Sequence, residues 1–470
     1  MRTDHFHNQT LEQIDVRTLL HPSTSIADHL ANGPRIMVQG EGVHVKDSNG
    51  NRYLDGAAGL WCVNVGYGRQ EIVDAITRQA SALPYFHSFT SMSNEPSIRL
   101  ADRILRWAPE GMSKVIFGSG GSDANDTNIK LVWYYNNMRG LARKKKIISR
   151  QRAYHGVSVS SGSLTGLPIN HVAFDLPLPM MKHTHSVDCY REKPAGMTEA
   201  EFSAYLAAEL EKLILAEDPG TVAAFIAEPV MGTGGVLVPP EGYFPAIQKV
   251  LDKYDVLMIA DEVICGFGRL GTNFGSDKFG IRPDIMTMAK GLSSGYLPIS
   301  ASVINDKIWA VLEETAPKMA GFGHGLTYSA HPTCAAAALA NLDILEREGL
   351  VANAGRAGAK LKAHLEDEIG EHPLVGDIRG EGLMLGIELV ADRESRRELD
   401  LSLKVGPRIM ARGYQEGILV RALPHRTVLA MSPPLILNDS NIEELVSGLK
   451  RSLSAVHAEL VRDGSNLASS

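Results

Sequence analysis

A lysine closes one apolar stretch of this chain and an acidic residue closes another. Lys290 follows "IMTMA" (285–289), and Asp261 follows "VLMIA" (256–260). An ammonium at the end of a buried strand is costly, and burial lowers its pKa toward the neutral amine. A neutral amine is a nucleophile for carbonyls. Alone, Lys290 also fits a side chain that simply reaches water from a strand end. Asp261 and its neighbour Glu262 could bind a metal, work as acid and base, or pair with an arginine such as Arg269. A metal needs further ligands, and no histidine lies close to them in sequence.

A third feature is "GSGGSDANDTNIK" (118–130), where a strand runs through Gly118-Ser119-Gly120-Gly121-Ser122 into a helix. Ser122 is the expected N-cap, with Asp123 and Asp126 in the first turn. Free backbone N–H groups and the helix dipole make such a turn a phosphate cup. It is neither a P-loop nor a dinucleotide fingerprint, because no G-K-[ST] follows and Asp123 occupies the third glycine position. "GFGRLG" (266–271) does match G-x-G-x-x-G, but "TNFGSDKFG" follows it without helical periodicity, so nicotinamide-cofactor binding is not expected. A carboxylate for a pyridinium nitrogen, a lysine for an aldehyde and a helix start for a phosphate together describe a pyridoxal phosphate site. Tyr154 or His155 could stack on the ring. Val263, two residues past Asp261, can point the same way and cover the other face.

The elements that must position these groups alternate between strand and helix. Strands are expected at 114–117, 146–149, 223–227, 256–260, 285–289 and 299–304, with helices between most of them, such as 124–138 and 199–216. This alternation predicts an α/β fold with a mostly parallel sheet covered by helices. Loops at the carboxyl ends of such strands line the ligand crevice. Those loops hold residues 119–122, Tyr154, His155, Glu228, Asp261 and Lys290. "VHVKDSNGNRYLDG" (43–56) alternates around Asn49-Gly50 and predicts a β-hairpin. After about residue 335 come an Ala-rich helix (334–348), a second helix (350–370), strand-like "LMLGIELV" (383–390), another helix and a short last strand. The expected organisation is an N-terminal arm and part of a small domain (1–70), a large cofactor-binding domain (71–335) and a C-terminal small α+β domain (336–470).

Composition narrows the function. The chain has 470 residues, 44% hydrophobic and 21% charged, with net charge −7. No basic footprint for nucleic acid exists; the one dense run, residues 143–146, reads as a solvated strand entrance. No apolar run is long enough to span a membrane, and the N-terminus lacks a secretory h-region. Cys62, Cys189, Cys265 and Cys334 form no C-x-x-C pair, so neither zinc nor disulfides are expected, and a reducing cytoplasm is favoured.

With these motifs in place the chain resembles the class III (ω-) aminotransferases among the fold-type I pyridoxal phosphate enzymes. The likeness runs from about residue 20 to residue 455. It rests on "DGAAGLWCVNVGYGR" (55–69), "GSGGSDANDTNIK", "AYHG" (153–156), "IAEPVMGTGG" (226–235), "IADEVICGFGRLG" (259–271), "TMAKGLSSGYLPIS" (287–300), "HGLTYSAHP" (324–332) and "RGEGLMLGIEL" (379–389). The resemblance implies a mostly parallel sheet of seven-stranded type plus a smaller α+β domain from both chain ends. It implies that Lys290 bonds the cofactor and shuttles the proton, and that Asp261 keeps the pyridine nitrogen protonated. Gly121 and Ser122 would bind the phosphate, and Tyr154 would stack on the ring. His155, Glu228 and Val263 complete the expected cofactor surroundings. Thr327 would reach the phosphate of a neighbouring subunit, implying a homodimer or a dimer of dimers with shared sites. Trp61, Phe86 and Phe89 would wall the substrate pocket.

One departure from the family pattern bears on substrate. Many relatives carry an arginine just before the final "PPL" that grips a carboxylate and pairs with the glutamate matching Glu228. Here Ala430 holds that position. Arg421 matches instead the movable arginine of the amine:pyruvate branch. Leu326 and Ser23, where relatives often have aromatics, suggest a roomier pocket mouth. The implied activity is amino transfer from a primary amine or ω-amino acid to a keto acid, with pyruvate the expected acceptor, by a ping-pong mechanism. Rival readings are an aminomutase, racemase or decarboxylase on the same scaffold, or a non-catalytic binding protein.

Overall fold

The computed structural model describes residues 9–424 and 427–464. Its centre is a seven-stranded sheet. From edge to edge the strands are Met112–Gly118, Ser300–Asn305, Ile285–Met288, Leu257–Asp261, Val222–Ala227, Lys146–Arg150 and Met181–Thr184. All neighbours pair in parallel except Ser300–Asn305, which runs antiparallel to both of its neighbours. The three central strands are buried at every position. A strand covered on both faces has no reason to alternate, which is why these read as continuous apolar runs.

Six strands stand where the sequence places them. Met181–Thr184 is additional, a four-residue edge strand of mixed polarity. Long helices cover the sheet, among them Gly121–Met138, Glu199–Ala216 and Tyr243–Lys253. Helix Pro332–Arg347, the expected Ala-rich one, packs on helices Gln70–Ala82 and Glu95–Trp107. Among the described residues no helix is long and apolar enough to cross a membrane.

Two small sheets flank this layer. The hairpin around Asn49-Gly50 forms as expected, with Val45 opposite Tyr53 and Gly50 at φ +87°. It extends to four strands through Met37–Glu41 and, from the far end of the chain, Ile418–Leu419. The second small sheet runs in the order Val375–Glu381, Met384–Leu389, Val428–Met431, Arg421–Ala422.

Candidate active site

The carboxyl edge of the central sheet gathers the chemistry-bearing loops. Strand Met112–Gly118 leads into helix Gly121–Met138. The cap of this helix is Gly120 rather than the expected Ser122. Asp123 explains the difference: from inside the first turn its carboxylate accepts the N–H of Ser119 at 2.9 Å and of Gly120 at 3.0 Å. Ser300 Oγ donates to the same carboxylate at 3.0 Å, tying the antiparallel strand to the turn. The N–H groups of Gly121 and Ser122 have no partner among the described residues. They form an open anion cup at a helix start. Ser122 Oγ accepts the N–H of Val157 at 3.2 Å, which joins the cup to the loop after His155. Gly121 has a packing reason: a β-carbon there would lie 3.1 Å from Val263 Cγ2. Val263 therefore lies directly beside the cup.

Asp261 ends strand Leu257–Asp261 and is almost fully buried. Its Oδ2 lies 2.8 Å from His155 Nδ1 and accepts the amide N–H of Asn125 at 2.9 Å. Its Oδ1 accepts the N–H of Val263 at 3.2 Å. Asn125 also donates to the His155 carbonyl at 2.7 Å and accepts from Thr287 Oγ at 2.7 Å. Asn128 donates to Thr287 in turn. The carboxylate is thus held from three sides. The His155 ring is turned to Asp261. Asn125 was not singled out from the sequence. Its trace there is a helix start, "DANDTN", too polar at 125 and 128 for a face that the fold buries.

Lys290 follows strand Ile285–Met288 with one residue between, and its backbone is left-handed, φ +40°. A non-glycine residue costs roughly 1–2 kcal/mol in that region, and such outliers cluster at functional sites. Asn341 fixes the next turn, donating to the carbonyls of Gly291 at 2.8 Å and Leu292 at 3.0 Å. Burial lowers the Lys290 amine below its usual pKa, against the attraction of Cys62, Asp261 and Glu228; Arg421 adds to the lowering. Glu228, also buried, accepts the N–H of Tyr154 at 3.1 Å and of Gly232 at 2.8 Å. Its carboxyl is pushed up by burial. Burial likewise raises the Tyr154 phenol, with the Arg421 charge opposing. Lys290, Asp261, His155, Val263, Gly121, Ser122, Tyr154, Glu228 and Arg421 therefore share one neighbourhood.

The other expected site residues have different surroundings. Trp61 is 2% exposed and packs in an apolar cluster with Val230, Val236, Met384 and Ala430; its indole N–H has no hydrogen-bond partner among the described residues. Phe86 and Phe89 are exposed, 41% and 44%. Phe89 faces Gly325, where a β-carbon would lie 3.2 Å from the ring. Thr327 is exposed, and its carbonyl accepts the Tyr85 hydroxyl at 2.8 Å. Among the described residues no hydrogen bond or ring contact joins Phe86, Phe89 or Thr327 to Lys290, Asp261 or the cup. Arg269 does not pair with Asp261 or Glu262. It is buried and bonds Asn64 Oδ1 and the carbonyls of Leu383 and Pro433. Glu262 instead accepts from Gly275, Ser276 N and Ser276 Oγ. The "GFGRLG" segment is a series of turns, and the next helix, Gly275–Phe279, opens only after it.

The donor set fits pyridoxal phosphate: orphaned helix N–H groups for the phosphate, a braced carboxylate for the ring nitrogen and a desolvated amine for the aldehyde. Comparison with known proteins agrees. The family model Aminotransferase class-III matches residues 26–453. A diaminobutyrate–2-oxoglutarate transaminase of Halomonas elongata is 48% identical, covering 96% of this chain and 97% of its own length. An uncharacterised aminotransferase of Sinorhizobium fredii is 50% identical, covering 97% of this chain and 98% of its own length. The crystal structure of the omega transaminase of Pseudomonas jessenii in complex with PMP superposes with a TM-score of 0.93 at 45% identity, covering 96% of this chain and 99% of that one. The fold is therefore fold type I and the cofactor pyridoxal phosphate. A match that runs through the cup, the Asp261 strand and Lys290 alike leaves one conclusion: the chain belongs to the class III aminotransferases.

Proposed function

We propose that this aminotransferase moves an amino group from a primary amine or ω-amino acid to a keto acid, pyruvate by default, by a ping-pong mechanism. The observation that carries the acceptor half of the reading is Arg421. It faces Ala430 across an antiparallel pair, in the electrostatic reach of Tyr154 and Lys290. A guanidinium there can take an acceptor's carboxylate through two parallel hydrogen bonds.

The cofactor, when bound, supplies a carbonyl for the amino group and a ring that accepts electrons. The chain's own groups do the rest. Gly121 and Ser122 N–H hold the phosphate. Tyr154 and Val263 enclose the ring from its two faces. Asp261 keeps the proton on the ring nitrogen, and His155 and Asn125 hold Asp261 in register. Lys290 Nζ, its pKa lowered by burial, takes the proton from the donor's reacting carbon and returns it. Burial pushes the Glu228 carboxyl up, toward the neutral form that opposes an incoming carboxylate less. Trp61, Phe86 and Phe89 are assigned to the pocket wall. Thr327 is assigned to the phosphate of a second subunit, so that a homodimer, or a dimer of dimers, completes each site.

A second acceptor has a specific observation behind it. The Halomonas relative is named for 2-oxoglutarate and diaminobutyrate. Arg421 suits either keto acid. A panel of diamines, ω-amino acids and aryl-alkyl amines, each with pyruvate or 2-oxoglutarate, decides between them by the amino acid formed. Alanine from at least one donor is the expected result. Glutamate alone would replace pyruvate by 2-oxoglutarate, and amine consumption without an equivalent of amino acid would overturn transfer altogether.

A further inference from the structure

The N-terminal arm holds two short helices, Leu11–Thr18 and Ile26–Asn32, and neither buries a single residue. Helices of this length are marginal without packing. Leu11, Leu19, Leu20, Ile26 and Leu30 all stay exposed. Within this chain no buried apolar residue of either helix holds the two together.

Three metal-ligating side chains converge between them. Asp15 comes from the first helix, His29 from the second and His21 from the turn that joins them. Their ligand atoms lie within 4.8 Å of one another. His21 Nε2 is 2.8 Å from Asp15 Oδ1, and His29 Nε2 is 3.3 Å from the same oxygen. The side chains are 31%, 11% and 14% exposed for His21, His29 and Asp15. The His29 Nε2 nitrogen is buried and makes no hydrogen bond among the described residues. Apart from that carboxylate contact the buried imidazole nitrogen is unsatisfied, and a buried nitrogen without a hydrogen bond is costly.

We propose that Asp15, His21 and His29 bind one divalent transition-metal ion, zinc by ligand type, which clamps the arm's two helices. With metal–ligand bonds of about 2.0–2.1 Å, the corners of a tetrahedron lie roughly 3.3–3.4 Å apart. The His29–Asp15 separation already matches that edge. The His21–Asp15 hydrogen bond must open by only about half an ångström to reach the same geometry. Two imidazoles and one carboxylate leave a fourth position for water. The ion satisfies the His29 nitrogen that makes no hydrogen bond, neutralises Asp15 and cross-links a segment that has no core of its own. The spacing, five residues and then seven, matches no short metal motif, so it is inconspicuous in sequence.

The test uses the full-length holoenzyme, stripped with a chelator and titrated with zinc alone by calorimetry, with bound metal counted. One ion per chain is expected. His29→Gln, His21→Gln and Asp15→Asn should each weaken binding by more than the roughly 10–100-fold that loss of an outer-shell partner costs. Cofactor absorbance and transamination should be unchanged, which shows that the variants fold. Stripping the metal should speed amide exchange across residues 11–32 in the parent protein but not in His29→Gln. Zinc binding that is unaltered in all three variants, no stoichiometric binding at all, or an adventitious ion only, would overturn the proposal. So would arm exchange that responds to dilution of the oligomer and not to metal, since a second copy would then be what covers the arm.

Discussion

Arg421 stands directly across an antiparallel ladder from Ala430. Residues paired in this way point to the same face, with β-carbons about 4.5–5.5 Å apart. Position 430 is small and 1% exposed, in one apolar cluster with Trp61, Val236 and Met384. The cation comes from the opposite strand, Arg421–Ala422, which is half-buried and only two residues long. Its charge sits at the end of a long side chain that can pair with a carboxylate or turn away for an apolar amine. Carboxylate recognition is predicted to depend on Arg421 and to be adjustable.

Lys290→Ala is expected to abolish turnover while cofactor still binds through the cup and Asp261. Borohydride reduction of the parent enzyme followed by peptide mass mapping should find the cofactor on Lys290. Recovery on any other lysine contradicts the assignment. The pH dependence has a definite sign. A neutral amine is needed for loading, its fraction rises with pH, and burial moves that rise below the range of an ordinary lysine. Cofactor uptake by the stripped protein should therefore speed up as pH increases and level off earlier than for a model lysine.

Asp261→Asn should cost several orders of magnitude in rate, because an amide cannot hold the proton on the ring nitrogen. Asn125→Ala removes one of the hydrogen bonds that brace the same carboxylate. It should shift the visible spectrum of the bound cofactor and lower the rate far less than Asp261→Asn. Near-normal turnover in Asp261→Asn would make that residue structural.

How far the sequence reaches can be judged residue by residue. The three central strands were legible because burial on both faces leaves unbroken apolar runs. The antiparallel sense of Ser300–Asn305 was not, since orientation depends on how the chain returns. Met181–Thr184 was missed because an edge strand of four mixed residues carries no periodicity. Lys290 and Asp261 were legible as charged ends of apolar runs. The bracing of Asp261 by Asn125 and His155 was not, because it joins residues up to 136 positions apart. The helix cap was misplaced by two residues, since a carboxylate reaching back from Asp123 replaces a capping serine.

The protein is expected to be at least a dimer. Tyr85, Phe86, Phe89 and Tyr328 expose large apolar area, and the Tyr85 hydroxyl bonds the Thr327 carbonyl. An aromatic surface of this kind marks an interface or a ligand groove. Sedimentation at assay concentration should find no active monomer. Thr327→Ala should weaken cofactor retention although the residue is exposed in the single chain. A fully active monomer would contradict both statements.

The most direct measurement of the account follows each half-reaction of Arg421→Ala separately in single turnovers. A bidentate, charge-assisted contact in a partly dry site contributes roughly 2–3 kcal/mol, a factor of about 30 to 150. The account predicts that the half-reaction with pyruvate loses affinity by that factor. The half-reaction with an amine lacking a carboxylate should change little, and Arg421→Lys should recover only part of the loss. Equal damage to both halves would contradict it. The carboxylate would then have to be sought at His425 or Arg426, which lie outside the described residues.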